Sequence, residues 1–351
     1  MQIPIQKITH SRRSSVDFNH LPFGKIFSDH MLMVEYKDGK WNHPHILPYG
    51  PIPYAPSMAA IHYAQSIFEG LKAYYHSDGH VSIFRPDENF IRMNRSAERM
   101  SMPMIPEDLF IEGMLELVKL DHEWVPKEQG SSLYIRPVFF ATDEIIGVKP
   151  SDSYHLIILS SPTQAYYSKP LRVRIETTFS RASRSGTGYA KAAGNYGGAL
   201  YPTSLAQKDG FDQVLWSDAA TNTMIEESGT MNVMFVVDDK LITPILTVSK
   251  LAGITRDSII RLAKHWGIEV EERHVMIEEI IAGLKNGTVT EAFGTGTAAN
   301  VAEIRTIALG EEEWSLKPAD QYSLQNRLAN TLMDIKYGRE EDIFGWNKIV
   351  I

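Results

Sequence analysis

Two apolar stretches after Gly70, in LKAYYHSDGHVSIFRP, are parted by Asp78-Gly79. That dipeptide accepts the positive φ angles of a tight turn, so the pattern predicts two strands in a hairpin. The period then changes. Phe90, Met93, Ala97 and Met100 recur at helical spacing, as do Phe110, Met114 and Leu117 after Pro106, and two helices are expected. SLYIRPVFFA and SYHLIILS return to strand-like text. The segment Ser160 to Pro170, SSPTQAYYSKP, breaks both periods and carries two prolines, which marks a linker. Beyond it, LRVRIET, FDQVLWSD and the hairpin NVMFVVDDKLITP lead to a helix from about Thr255 to His265, with Ile259, Leu262, Ala263 and Trp266 along one side. Hairpins dominate over strand-helix-strand units, so the fold class is α+β rather than a doubly wound sheet. At 351 residues the chain exceeds a single comfortable core, which stops growing near roughly 250 to 300 residues. Two domains are expected, 1–160 and 171–351, joined by a linker over 161–170.

Composition narrows the function. Hydrophobic residues at 43% and charged residues at 22% fit a chain that folds throughout. A net charge of -8 supplies no basic field for a phosphate backbone, so nucleic acid is not an expected partner. Without cysteine there is no thiol catalysis, disulfide or thiolate metal site. The N-terminal text MQIPIQKITHSRRSSVDF lacks the apolar centre of a secretory signal, and no run approaches the roughly 20 apolar residues of a membrane helix. The expectation is a cytoplasmic protein without a membrane partner. His43 and His45 flank Pro44 with no acidic residue at ligand spacing, so they read as loop and no metal is expected. No G-x-S-x-G elbow supports serine catalysis.

The most unusual text is GTGYAKAAGNYGGA, Gly186 to Ala199, where Lys191 stands among small residues. Such a run builds a helix or strand poorly. It reads either as a flexible loop with a solvated lysine, or as a backbone that lets a flat ligand approach a desolvated amine nucleophile. Glu226 and Glu227 directly precede an apolar strand. They are two acids on a solvated turn, or a buried carboxylate that requires a cationic partner such as a protonated pyridine nitrogen. Gly294 to Ala298, GTGTA, and the helix start AGITRDS at 252–258 each offer backbone N–H groups suited to an anion. GTGTAA also fits the dinucleotide pattern G-x-G-x-x-A of a dehydrogenase. That reading fails on context, since the following NVAEIRTIAL reads as a strand where a helix is required.

Taken in order, FEGLKAY, LYIRP, YAKAAGNYGG, EESGTMNV, LAGITRDS and FGTGTAA resemble the motif series of the branched-chain amino acid aminotransferases, fold type IV pyridoxal-phosphate enzymes. The resemblance runs from about Phe23 nearly to the C-terminus. It implies a smaller N-terminal and a larger C-terminal domain, with pyridoxal 5′-phosphate between them. By that likeness Lys191 is the Schiff-base lysine and catalytic base, and Tyr196 meets the cofactor's phenolic oxygen. Glu227 pairs with the pyridine nitrogen, while Arg92, the amides of Ile254 and Thr255, and Thr297 take the phosphate. Phe23, Tyr63, Tyr134 and Arg136 line the substrate pocket, and the Thr297-Ala298 amides hold the substrate carboxylate. Val148 is lent by a neighbouring subunit, so a homodimer is the least assembly. The implied activity is ping-pong transamination between leucine, isoleucine or valine and 2-oxoglutarate, giving 2-oxo acids and glutamate. D-amino acid aminotransferase and aminodeoxychorismate lyase are rivals on the same fold. Some relatives carry C-x-x-C after the glycine-threonine turn, but Ala299 and Ala302 stand at those positions here.

Overall fold

The computed structural model describes residues 2–164 and 169–351. Its contacts divide the chain into two units, Met1–Tyr166 with Ala190–Gly194 and Ile335–Ile351, and Tyr167–Tyr189 with Asn195–Asp334. Residues 165–168 of the expected linker lie outside the described residues, and the strand before them runs through Thr163.

The first unit is built on an antiparallel sheet. Its strands are β1 (His30–Lys37), β2 (Lys40–Trp41), β3 (His45–Pro48), β4 (Ser66–Phe68), β5 (Leu71–Tyr75), β6 (Val81–Phe84), β7 (Ser132–Ala141) and β8 (Tyr154–Thr163). They run in the order β6-β5-β7-β8-β1-β2, with β3 on β1 and β4 on β7, and the C-terminal strand Asn347–Ile349 adds to the edge at β6. The expected hairpin is β5-β6, where Ala73 faces Ile83 and Gly79 turns at φ +95°. His45, read as loop, opens β3 because it pairs with Met33. The short helix α1 (Ala59–Tyr63) precedes α2 (Pro86–Arg99), which buries Met93 and Ala97 as the spacing predicts. The helix expected after Pro106 starts as a wider π turn over Asp108–Glu112 and continues as α3 (Gly113–Leu120). Leu32, Ile67, Ala73, Met93, Phe110 and Phe139 pack into one core, joined by Ala190 and Ala192 from far along the chain.

The second unit holds a mixed sheet of β9 (Leu171–Glu176), β10 (Gln213–Ser217), β11 (Met224–Ser228), β12 (Asn232–Val237), β13 (Lys240–Pro244), β14 (Val270–Arg273), β15 (Val275–Met276), β16 (Val289–Gly296), β17 (Asn300–Leu309) and β18 (Glu312–Ser315). The order is β14-β13-β12-β16-β17-β9-β10-β11-β15, with β18 on β17. Hairpins such as β12-β13 and β16-β17 alternate with parallel pairs β9-β10 and β9-β17, so the α+β class stands. The helices are α4 (Ala193–Lys208), α5 (Ile254–His265), α6 (Ile277–Asn286) and α7 (Leu324–Lys336). One local expectation changes here. The glycine-rich run does not stay irregular: from Ala193 it winds into α4, whose 16 residues outweigh the local cost of Gly194, Gly197 and Gly198. NVAEIRTIAL is β17, which removes the helix that a dinucleotide turn requires.

Candidate active site

In the first unit the lysine is fixed by its backbone. The Lys191 N–H donates to Ser96 Oγ at 2.9 Å, and its carbonyl accepts from the Phe68 N–H at 3.1 Å. A bridge between Ile67 and Ala192 continues this pairing along β4. The half-buried side chain places Nζ 4.8 Å from the Phe68 ring centroid. Beside it lies Glu69, which is fully buried. Burial alone would raise that carboxyl, but Arg92, Lys191 and Asn89 hold it below its ordinary range. Arg92 Nε and Nη2 donate to the two Glu69 oxygens at 2.7 Å each, and Asn89 Nδ2 donates at 2.7 Å.

Tyr134 and Arg136 lie on β7. The Phe23 and Tyr134 rings meet edge to face with centroids 5.0 Å apart. Arg136 Nη2 donates to Tyr134 Oη at 2.9 Å, and its guanidinium lies over the Phe68 and Tyr134 rings at 4.6 and 5.3 Å. Arg136 Nε is buried with no hydrogen-bond partner among the described residues. Gly70 is required beside them, since a Cβ there would run into Tyr134 Oη. Tyr63 ends α1 and is exposed, and Val148, in the loop from β7 to β8, is 89% exposed.

The second unit holds Glu227 and the amides expected to meet an anion. Glu226 and Glu227 lie within β11 and both are buried, which settles the choice left open by their sequence. Burial pushes the Glu227 carboxyl up, opposed by Arg181 and by the Leu251 N–H, which donates to Oε1 at 2.7 Å. Asn232 Nδ2 donates to the same oxygen at 3.4 Å. Arg181 Nε forms an ion pair with Oε2 at 2.9 Å, with the N–H not aligned on the oxygen. Since a carboxylate has about four acceptor directions, Glu227 retains room for one more donor.

The start of α5 follows. Its N-cap Gly253 has no side chain to cap with, and the first helical bond runs from Asp257 N–H to Gly253 O at 3.0 Å. The amides of Ile254 and Thr255 therefore precede the internal ladder, at the positive end of the helix dipole. A Cβ at Gly253 would overlap Asn232 Oδ1. Thr297 and Ala298 lie in the turn between β16 and β17, and Tyr196 lies near the start of α4. Glu69, Phe68 and Arg181 were not singled out from the sequence. The FEG text held the only signal for the first two, a glutamate inside an apolar strand context.

Residues 66–307 match the class IV amino-transferase family, and the chain belongs to that family. Its relatives narrow the likeness. The chain is 42% identical over 344 residues to branched-chain-amino-acid aminotransferase 2 of Bacillus subtilis (strain 168), covering 97% of this chain and 95% of that protein. To branched-chain-amino-acid transaminase 1 of the same organism it is 44% identical over 335 residues, 94% of each chain. The solved structure of the branched-chain amino acid aminotransferase from Escherichia coli matches with a TM-score of 0.72 at 26% identity, covering 90% of this chain and 98% of that one.

Proposed function

We propose that this chain is a pyridoxal 5′-phosphate-dependent aminotransferase that exchanges amino groups between branched-chain L-amino acids and 2-oxoglutarate, yielding branched-chain 2-oxo acids and L-glutamate. The observation that carries the reading is the 42% identity over 97% of the chain to a branched-chain-amino-acid aminotransferase. The residues fit the cofactor. Glu227 is a buried carboxylate with acceptor capacity left for a ring N–H, and α5 opens behind Gly253, an N-cap without a side chain, at the positive end of its dipole. When bound, pyridoxal 5′-phosphate supplies an electron sink for the bond broken at the substrate Cα.

The chain's own groups would do the rest. Lys191 Nζ anchors the cofactor and takes the proton from the substrate Cα. Glu227 holds the proton at the ring nitrogen, and Tyr196 meets the phenolic oxygen. Arg92, Thr297 and the amides of Ile254 and Thr255 bind the phosphate. Phe23, Tyr63 and Tyr134 offer apolar faces to an aliphatic side chain. The Arg136 Nε, buried with no acceptor among the described residues, suits the distal carboxylate of glutamate. The Thr297-Ala298 amides take the substrate's own carboxylate.

A homodimer is part of the proposal. Ile61, Ile146 and Val148 are 63%, 74% and 89% exposed, apolar positions suited to a second copy, with Val148 lent across. The two domains and a linker near 161–170 are retained in it, as is a cytoplasmic location. Among the described residues no helix is long and apolar enough to cross a membrane. The test is turnover of L-leucine with 2-oxoglutarate by the purified protein supplemented with pyridoxal phosphate. Glutamate formation with L-leucine and not D-alanine is expected. Acceptance of D-alanine alone would move the activity to the D-amino acid branch of the fold.

A further inference from the structure

Charged side chains that act on Glu227 within its unit include Arg181, Glu226, Lys250 and Arg256. Three of them have other counter-charges. Lys250 Nζ lies 3.1 Å from Glu226 Oε1, and both side chains are 5% exposed. Arg256 Nη2 lies 3.0 Å from Glu272 Oε2. Arg181 remains, and among the described residues Glu227 is its one carboxylate partner, at 2.9 Å with side chains 8% and 4% exposed. The same guanidinium binds backbone. Its Nη2 donates to Gly188 O at 3.1 Å and to Ser249 O at 2.5 Å. Gly188 and Ser249 are pressed together, since a Cβ at Gly188 would overlap the Ser249 carbonyl. Arg181 thus ties β11, the segment leading to Lys191 and the segment leading to α5 to one buried cation.

We propose that Arg181 is a positioning residue for the cofactor, which keeps Glu227 ionised and so decides that the proton shared with the ring nitrogen rests on the ring. This rests on the reading of Glu227 given above. A buried carboxylate facing a pyridine nitrogen has two arrangements, a neutral acid beside a neutral ring or a carboxylate beside a pyridinium. Burial favours the neutral pair, because both charges lose hydration. A fixed cation on the carboxylate, as Arg181 is on Glu227 Oε2, favours the charged pair. Only the charged pair makes the ring an effective electron sink, so Arg181 acts on the reaction without touching the substrate.

The experiment uses holoenzyme loaded with pyridoxal phosphate labelled with ¹⁵N in the ring, whose nitrogen shift reads the position of the proton. Arg181→Gln keeps donors for the two carbonyls and removes the charge, Arg181→Lys keeps a charge, and Glu227→Gln is the reference. Wild type and Arg181→Lys should show a pyridinium, whereas Arg181→Gln and Glu227→Gln should show an unprotonated ring. In Arg181→Gln kcat should fall at least about tenfold with KM little changed. A protonated ring in Arg181→Gln beside an unprotonated one in Glu227→Gln would overturn the role of Arg181 alone. A protonated ring in Glu227→Gln would overturn the reading of Glu227 and this inference with it. Should Arg181→Gln not fold, Arg181→Lys decides, since an unprotonated ring there would also overturn the proposal.

Discussion

The pair Glu69–Arg92 allows a magnitude to be worked from the geometry. Glu69→Gln keeps the volume of a fully buried side chain, so no cavity opens and the change is one of charge and donors. Two charge-assisted bonds of 2.7 Å to Arg92 are lost, and the new amide presents hydrogens toward Arg92 or Asn89, which already donate there. Arg92, with its side chain 7% exposed, is left charged without its carboxylate. Breaking such a pair costs about 3 to 5 kcal/mol. Urea unfolding of the purified protein, followed by tryptophan fluorescence, should show that loss near neutral pH. Because the Glu69 carboxyl is held below its ordinary range in the folded chain, its stabilisation is present above the unfolded value, near 4.5, and is lost as pH falls through the folded value. The gap between wild type and variant should therefore close in acid. Arg92→Met added to Glu69→Gln should cost less than the two changes summed, since the stranded cation is gone. A loss below about 1 kcal/mol at neutral pH, or a gap that does not narrow in acid, would refute the reasoning.

Two other outcomes follow from buried contacts. Gly70→Ala sets a methyl against Tyr134 Oη and should displace it from Phe23 and Arg136; an overpacking cost of about 1 to 3 kcal/mol on the pocket should raise KM for leucine about fivefold to a hundredfold, and an unchanged KM would remove Tyr134 from substrate binding. Burial brings the Lys72 amine down to about 8 from 10.5, so between those values the unfolded chain holds a proton that the folded chain does not, and stability should rise with pH across that window. Lys72→Met should remove a share of that rise on the order of 3 kcal/mol, measured by urea midpoints on either side of the window; a variant that keeps the full rise would contradict it.

Much of the fold was readable because local periods and burial agree. Met93 and Ala97 face the core from α2, Asp78-Gly79 turns the β5-β6 hairpin, and α5 begins within a residue of the expected start. The readings that changed depend on distant partners. The run around Lys191 looked unfit for helix, but its second half is only the first turns of α4, and its first half pairs with residues more than a hundred positions earlier. Glu226 and Glu227 were ambiguous because adjacent acids on a strand point to opposite faces. Whether each is buried depends on Lys250 and Arg181, which lie 24 and 46 positions away in the numbering. The amides at the start of α5 were legible as an anion site from the helix start alone, but not the need for glycine at 253, which arises from Asn232.

The central claim is that Lys191 carries the cofactor. Borohydride reduction of the protein loaded with pyridoxal phosphate, followed by peptide mapping, tests it directly, with Lys191→Ala beside it. The account expects the pyridoxyl group on the peptide containing Lys191, and neither that label nor leucine transamination in the variant. A label on another lysine, or undiminished transamination by Lys191→Ala, would contradict it.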